Sequence, residues 1–159
     1  MATAKLKSPG ELAVIRDQME AEGRRLVLTN GCFDLLHVGH VRYLEAARAM
    51  GDALIVAVNG DESVRALKGS SRPINPETDR AEVVSGLGCV DYVTIFPSVR
   101  VTEVISEVRP HVYAKGGDYT VATLDPVEKS ALDAAGAEIH ILALVPGRST
   151  TRIVGKLTA

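Results

Sequence analysis

The stretch Thr29-Asn30-Gly31-Cys32-Phe33-Asp34-Leu35-Leu36-His37-Val38-Gly39-His40 decides how this chain is read. It leaves the β-rich run Leu26–Thr29 and enters text of helical spacing from Val38 to Met50. In open α/β sheets, ligands sit beyond the carboxyl ends of strands, where helix N-termini turn unpaired N–H groups toward them. Gly31 allows the backbone to come close to a ligand, and Gly39 keeps the helix start uncrowded. His37 and His40 are three apart and share one face of the first turn. Two imidazoles at a helix start suit a polyphosphate, and a bound phosphate would favour their protonated forms.

Other chemistries compete for these residues. Cys32, Asp34, His37 and His40 could ligate zinc, but the histidines lack the i, i+4 spacing and adjacent Glu of a zincin helix. Neither Gly-x-Gly-x-x-Gly nor Gly-x-x-x-x-Gly-Lys-Ser/Thr occurs in the chain.

Outward from this stretch, short apolar runs recur at Ala53–Val58, Tyr92–Ile95, Val112–Ala114 and Glu138–Leu142. Stretches of helical spacing separate them. Continuous apolar strands alternating with helices predict a parallel sheet covered on both faces: a single, doubly wound α/β layer of five strands. Ser8-Pro9-Gly10-Glu11 predicts a capped helix running to about Ala21. Other helices are expected over Val38–Met50, with Val41, Leu44, Ala47 and Ala49 facing the sheet, and from Asn75-Pro76-Glu77 to Gly86 or Gly88. Three more cover Val101–Val108, Asp125–Ala135 and Ser149 to about Leu157. Lys68-Gly69-Ser70-Ser71-Arg72-Pro73 reads as a mobile loop. The domain plan is a helical N-terminal extension, 1–24, followed by one domain, 25–159.

Bulk properties exclude several classes. The 159 residues suit one domain, with 46% hydrophobic and 24% charged residues. Aromatics are only 4%, so aliphatic residues must fill the core. A net charge of -2 gives no electrostatic reason to expect nucleic acid or an anionic membrane as partner. Cys32 and Cys89 are far apart and read as reduced thiols. No apolar run approaches the roughly 18 residues of a membrane span, and Met1–Lys7 lacks the apolar stretch of a secretory signal. The expectation is a cytoplasmic protein.

Two further segments could hold a nucleotide. In Gly147-Arg148-Ser149-Thr150-Thr151, Ser149 is a plausible N-cap, yet hydroxyls and Arg148 at a helix start also make an anion site. Lys115-Gly116-Gly117-Asp118-Tyr119 could be a simple turn, but it lies at a strand's carboxyl end beside the central switch point.

With these segments in place, the chain resembles the nucleotidyltransferase superfamily of cytidylyltransferase type, marked by His-x-Gly-His and Ser-Thr-Thr. The similarity runs from about Leu26 to Leu157. The segments Val58–Arg65, Leu67–Gly69, Arg72–Pro76, Asp79-Arg80, Val90–Tyr92 and Lys115–Tyr119 are most similar to the D-glycero-β-D-manno-heptose 1-phosphate adenylyltransferase branch. That branch occurs alone or as the second domain of a bifunctional heptose kinase/adenylyltransferase. Glycerol-3-phosphate cytidylyltransferases resemble the chain less through these middle segments. Arg148, where the heptose enzymes often carry Tyr, and the stretch Thr123–Ala135 depart from the branch.

The resemblance implies a Rossmann-like fold of nucleotidyltransferase type. It also implies in-line attack of a sugar 1-phosphate oxygen on the α-phosphorus of ATP, with Mg²⁺ arriving on the triphosphate. The product would be ADP-heptose, which in the family feeds lipopolysaccharide core assembly. His40, His37 and Lys68 take catalytic roles by resemblance. Asn30, Gly31, Cys32, Phe33, His37, His40, Lys115, Gly116, Gly117, Asp118, Ser149, Thr150 and Thr151 fall on the nucleotide side. Asp34, Asn59, Asp61, Lys68, Arg72 and Arg80 fall on the sugar-phosphate side, with Arg80 equally arguable as a structural ion pair. A separate heptose kinase supplying the substrate, and a homodimer, are expected on the same ground. A non-catalytic nucleotide-binding module and a metal-binding protein are the rivals from other classes.

Overall fold

The computed structural model describes residues 1–117 and 119–159. Five parallel strands form one sheet in the order β3-β2-β1-β4-β5. They are β1 (Leu26–Gly31), β2 (Ala53–Asn59), β3 (Tyr92–Phe96), β4 (Val112–Gly116) and β5 (Glu138–Leu142). The chain winds outward from β1 in both directions, so the switch point lies between β1 and β4. The expected doubly wound sheet is therefore present, each strand at its expected place with ends shifted by at most two residues.

Strand alternation builds two cores. Leu26, Leu28, Ile55, Ala57 and Tyr113 face α1 (Pro9–Ala21), α5 (Thr102–Val108) and α6 (Pro126–Ala135). Val27, Leu54, Val56, Val58, Val112 and Ala114 face α2 (Val38–Arg48) and α4 (Glu77–Ser85). Because both faces are covered, all seven residues of β2 are buried and its sequence is almost continuously apolar.

Local signals set most helix ends. At α1, Ser8 and Glu11 close a capping box with Pro9 in the first turn. At α6, Asp125 accepts from the amides of Val127 and Glu128, and the helix stops at Gly136, whose φ is 68°. Ser149 caps α7 (Thr150–Thr158) by accepting from the Arg152 amide.

The N-terminal segment is integrated into the domain. Leu12 and Met19 are buried in the first core. The Lys7 amide donates to the Val93 carbonyl, and Lys5 Nζ donates to the carbonyls of Leu87 and Val90.

Two expectations need correction. Ala49 is exposed, because α2 ends at Arg48 and Ala49 caps it where the chain turns. Residues Asp61–Lys68, for which the sequence predicts no helix and whose last residue reads as the start of a loop, form an additional helix, α3. The segment is short, and Gly60 at its start supplies no side-chain cap to announce a helix. Tertiary contacts secure it: Glu77 Oε2 accepts from the Asp61 amide at 2.6 Å, capping α3 from outside the helix.

Candidate active site

A cavity of about 500 Å³ opens over the carboxyl edge of the sheet, within the range of small-ligand sites. It brings together fifteen of the expected residues: Asn30, Gly31, Cys32, Phe33, Asp34, His37, His40, Asn59, Lys68, Arg72, Lys115, Gly116, Ser149, Thr150 and Thr151. These come from β1, β2, β4 and the ends of α2, α3 and α7, segments far apart in the chain. Gly117 lies in an adjoining recess formed by the loop between β5 and α7. Asp118 is outside the described residues.

The histidines are held by backbone rather than by each other's charge. His37 is the N-cap of α2, and its Nδ1 accepts from the Gly39 amide at 3.1 Å. His40 Nδ1 accepts in turn from the His37 amide at 3.3 Å. With Nδ1 used as acceptor, each neutral ring carries its proton on Nε2 and offers that N–H as a donor. The rings lie 3.9 Å apart at 35°. Burial penalises the imidazolium of His40, and His37 beside it repels a second charge, lowering its pKa to about 4. Burial and the neighbouring Arg148 lower His37 as well. At neutral pH in the free protein both are therefore neutral donors; the expected protonation concerns the phosphate-bound form.

Two glycines are explained by crowding. A Cβ on Gly39 would stand 2.8 Å from the His37 ring, in the space the capping imidazole occupies. A Cβ on Gly31 would stand 2.9 Å from the Phe33 ring. Phe33 itself has φ 47°, a left-handed conformation that costs a bulky residue about 1–3 kcal/mol. Its ring is buried in the second core and sits 5.4 Å from His40.

Beside the histidines, α7 presents a second helix start. The Thr150 hydroxyl donates to the Leu35 carbonyl at 2.7 Å, tying α7 to the loop before α2. The first amides of α7 lack intrahelical acceptors, as do those of any helix. Two positive helix ends and Arg148 thus converge on one cleft. Ser149 caps its helix and also lines this cleft, so the structural and the anion-binding readings of the Ser-Thr-Thr run are compatible.

Three residues expected on the sugar-phosphate side, Asp34, Asp61 and Arg80, are engaged by scaffold hydrogen bonds, Asp34 while also lining the cleft. Asp34, almost fully buried, accepts from Arg72 Nε at 2.6 Å and from the amides of Ile74 and Asn75. Burial alone would raise its pKa, but these donors hold it below the ordinary carboxylate range. Arg80, 1% exposed, spends its guanidinium on the carbonyls of Asn75 and Cys32 and on Asp61. Neither Arg80 nor Asp61 lines the cleft, since each satisfies the other. Arg72 does reach the cleft while bound to Asp34. Burial pushes the Cys32 thiol up, so it stays protonated at neutral pH.

The cleft also contains residues the sequence did not single out. Tyr43 donates to the Ala114 carbonyl at 3.0 Å, pairs with Thr29, and is pushed up to about 12 by burial. Its place three residues after His40, on the same helix face, is a signal that could have found it. Glu128 and Arg100 also line the cleft, brought in by α6 and by the segment before α5. Nothing in their local sequence announced this.

Among the described residues, no three His, Cys, Asp or Glu side chains converge as a metal site. The zinc alternative does not assemble, because both Nδ1 atoms and the Asp34 carboxylate already hold hydrogen-bond donors.

The model of the cytidylyltransferase-like family matches residues 28–153, the span containing both helix starts. The chain belongs to that family. Among its relatives is the bifunctional protein HldE of Pelobacter propionicus, 44% identical over 154 residues, covering 97% of this chain and 31% of that protein. HldE of Methylococcus capsulatus is 49% identical over 144 residues, covering 91% of this chain and 30% of that protein. The chain thus spans about a third of the length of the curated relatives it matches.

A similar solved structure is the lipopolysaccharide core biosynthesis protein of Thermoplasma volcanium. Its TM-score is 0.63 at 29% identity, with 77% of this chain and 98% of that chain covered. Pantoate-beta-alanine ligase of Francisella tularensis shares the fold, with TM-score 0.58 at 11% identity, covering 92% of this chain and 68% of that one. Among the described residues, no helix is long and apolar enough to cross a membrane.

Proposed function

We propose that this chain transfers AMP from ATP to D-glycero-β-D-manno-heptose 1-phosphate, giving ADP-heptose and pyrophosphate. One observation carries the reaction class. His37 and His40, neutral and fixed through Nδ1, offer Nε2–H donors in the same cleft that receives the start of α7. The relatives named HldE and the lipopolysaccharide core biosynthesis protein support the choice of acceptor.

A phosphate monoester is already an anionic nucleophile, so the site needs little general-base chemistry. Its work is to align the acceptor oxygen with the α-phosphorus and to stabilise charge on the phosphate oxygens as the P–O bond to pyrophosphate breaks. His40 donates to an α-phosphate oxygen and His37 to its neighbours. The amides and hydroxyls of Ser149–Thr151 hold the β and γ groups. Lys68, exposed at the last turn of α3, reaches over the phosphates. Gly116 and Gly117 admit the nucleoside, with Asp118 assigned to it by family resemblance. Mg²⁺ enters as part of the MgATP substrate, because the described residues form no carboxylate cage.

A kinase domain or enzyme supplies the heptose 1-phosphate, and the relatives' description as bifunctional fits such a division of labour. A cytoplasmic homodimer completes the proposal. The test is pyrophosphate release over a matrix of ATP, CTP, GTP and UTP against heptose 1-phosphate and glycerol 3-phosphate. Turnover confined to ATP and heptose 1-phosphate is expected. Turnover with CTP and glycerol 3-phosphate would move the chain to the sibling reaction, and ATP binding without turnover would make it a binding module.

A further inference from the structure

Glu128 is a buried polar group that the reaction above leaves unused. It is 3% exposed, it lines the cleft, and its Oε2 has no hydrogen-bond partner among the described residues. Among the described residues, Oε1 accepts only from the Val101 amide, at 3.4 Å. Lys115 Nζ stands 3.7 Å from Oε2, close enough for charge attraction but too long for a hydrogen bond. Burying a carboxylate oxygen without a donor is costly, and a folded domain has few of them. The residue that carries this one lines the cleft.

Strand alternation says which part of a ligand it meets. Ala114 and Gly116 turn to the face of α2: a Cβ on Gly116 would touch the Tyr43 ring and Leu144. That face also holds the histidines and the start of α7, and so the triphosphate. Tyr113 and Lys115 turn to the opposite face, toward α6. Asn30 joins them: Tyr113 donates to its Oδ1 at 2.6 Å, which leaves the Asn30 amide N–H groups to donate. An in-line displacement places the attacking and leaving oxygens on opposite sides of phosphorus. The acceptor therefore approaches from the lip opposite α7. A carboxylate there repels phosphate but accepts from neutral O–H groups.

We propose that Glu128, with Lys115 beside it, is the subsite that recognises hydroxyl groups of the acceptor sugar. Glu128 Oε2 accepts from a sugar hydroxyl, while Lys115 and the Asn30 amide donate to neighbouring oxygens. The proposal rests on the sugar-phosphate reading above, adds the residue that reads the sugar, and moves Lys115 and Asn30 from the nucleotide side, where the family resemblance puts them, to the acceptor side.

The test compares wild-type protein with Glu128→Gln, which keeps the shape and removes the charge, in pyrophosphate-release kinetics. Both are first checked for the same unfolding temperature. The KM for the sugar phosphate should rise about 10- to 100-fold, the size of a lost charged hydrogen bond, with the KM for ATP held. In wild-type protein, one member of a monodeoxy series of the same sugar phosphate should show a comparable penalty. That penalty should vanish in Glu128→Gln; if the variant folds poorly, the wild-type series alone still tests whether a single sugar hydroxyl is read. An unchanged sugar KM, no sensitive hydroxyl, or a rise in the ATP KM instead would overturn the subsite while leaving the reaction standing. Absence of wild-type turnover with any sugar 1-phosphate would remove the reaction and the subsite with it.

Discussion

Asp34 and Arg72 form an ion pair at 2.6 Å in which the carboxylate is completely covered and the guanidinium nearly so. It joins the turn before α2 to the segment after α3, and the amides of Ile74 and Asn75 complete the carboxylate's shell. The turn before α2 is thus braced from behind.

Removing Asp34 leaves Arg72 covered and unpaired. Breaking such a pair typically costs about 3–5 kcal/mol, a fall in Tm of roughly 6–20 °C for a domain of this size. Asp34→Ala should show this in thermal or urea unfolding. An unchanged midpoint would mean the pair is not the brace described. Because the Asp34 pKa is lowered, its contribution is present above the unfolded carboxylate pKa and is lost as pH falls through the folded value.

His40 makes stability depend on pH in the same sense at higher pH. Its folded pKa is about 4 against an ordinary 6.5. As pH falls below 6.5, the unfolded chain takes up a proton that folded His40 does not accept until about pH 4. The stability tied to neutral His40 is full above 6.5 and drains away between 6.5 and 4. His37 and His111 are lowered too and add to the trend. Urea midpoints at pH 7.5, 6 and 5 should therefore fall less steeply for His40→Gln than for wild type. Parallel slopes would contradict the assignment.

Gly39→Ala inserts a methyl group 2.8 Å from the His37 ring. The ring must leave the cap, taking its Nε2 donor with it. Misplacing such a group by about 1 Å can cost about 100-fold in rate, so kcat/KM should drop by about 10- to 100-fold. Any stability loss should stay within about 1–3 kcal/mol, reduced by alanine's better helix propensity. Full activity would show that His37 need not sit where the cap holds it.

His40 and Lys68 should separate two kinds of loss. His40→Ala should lower kcat about 10²–10³-fold, as loss of a preorganised donor does. Lys68, exposed at the end of α3, should lose about 10- to 100-fold in turnover on Lys68→Ala with no change in Tm. A Tm loss with unchanged kinetics would make Lys68 structural.

What could be read without coordinates was local and periodic. The five strands, six of the seven helices and the caps at Ser8, Asp125 and Ser149 follow from apolar spacing and side-chain caps, which act within a few residues. His37, His40 and the Ser-Thr-Thr run were legible because a helix start needs particular residues at particular offsets. Their common cleft followed from the rule that ligands sit at the carboxyl edge of such a sheet.

Whether a polar side chain faces ligand or scaffold was decided only by tertiary structure. Asp34, Asp61 and Arg80 are charged residues expected at the cleft, yet each is bonded mainly to residues well removed in sequence. The α3 helix depends on Glu77 across a gap of 16 residues. Glu128 read as an ordinary helix residue until packing buried it beside Lys115. The helix-start turn from Asn30 to His40 was written in the sequence because its geometry is local. The bracing behind it and the burial of Glu128 beside Lys115 arise from contacts between distant segments, and no local pattern encodes those.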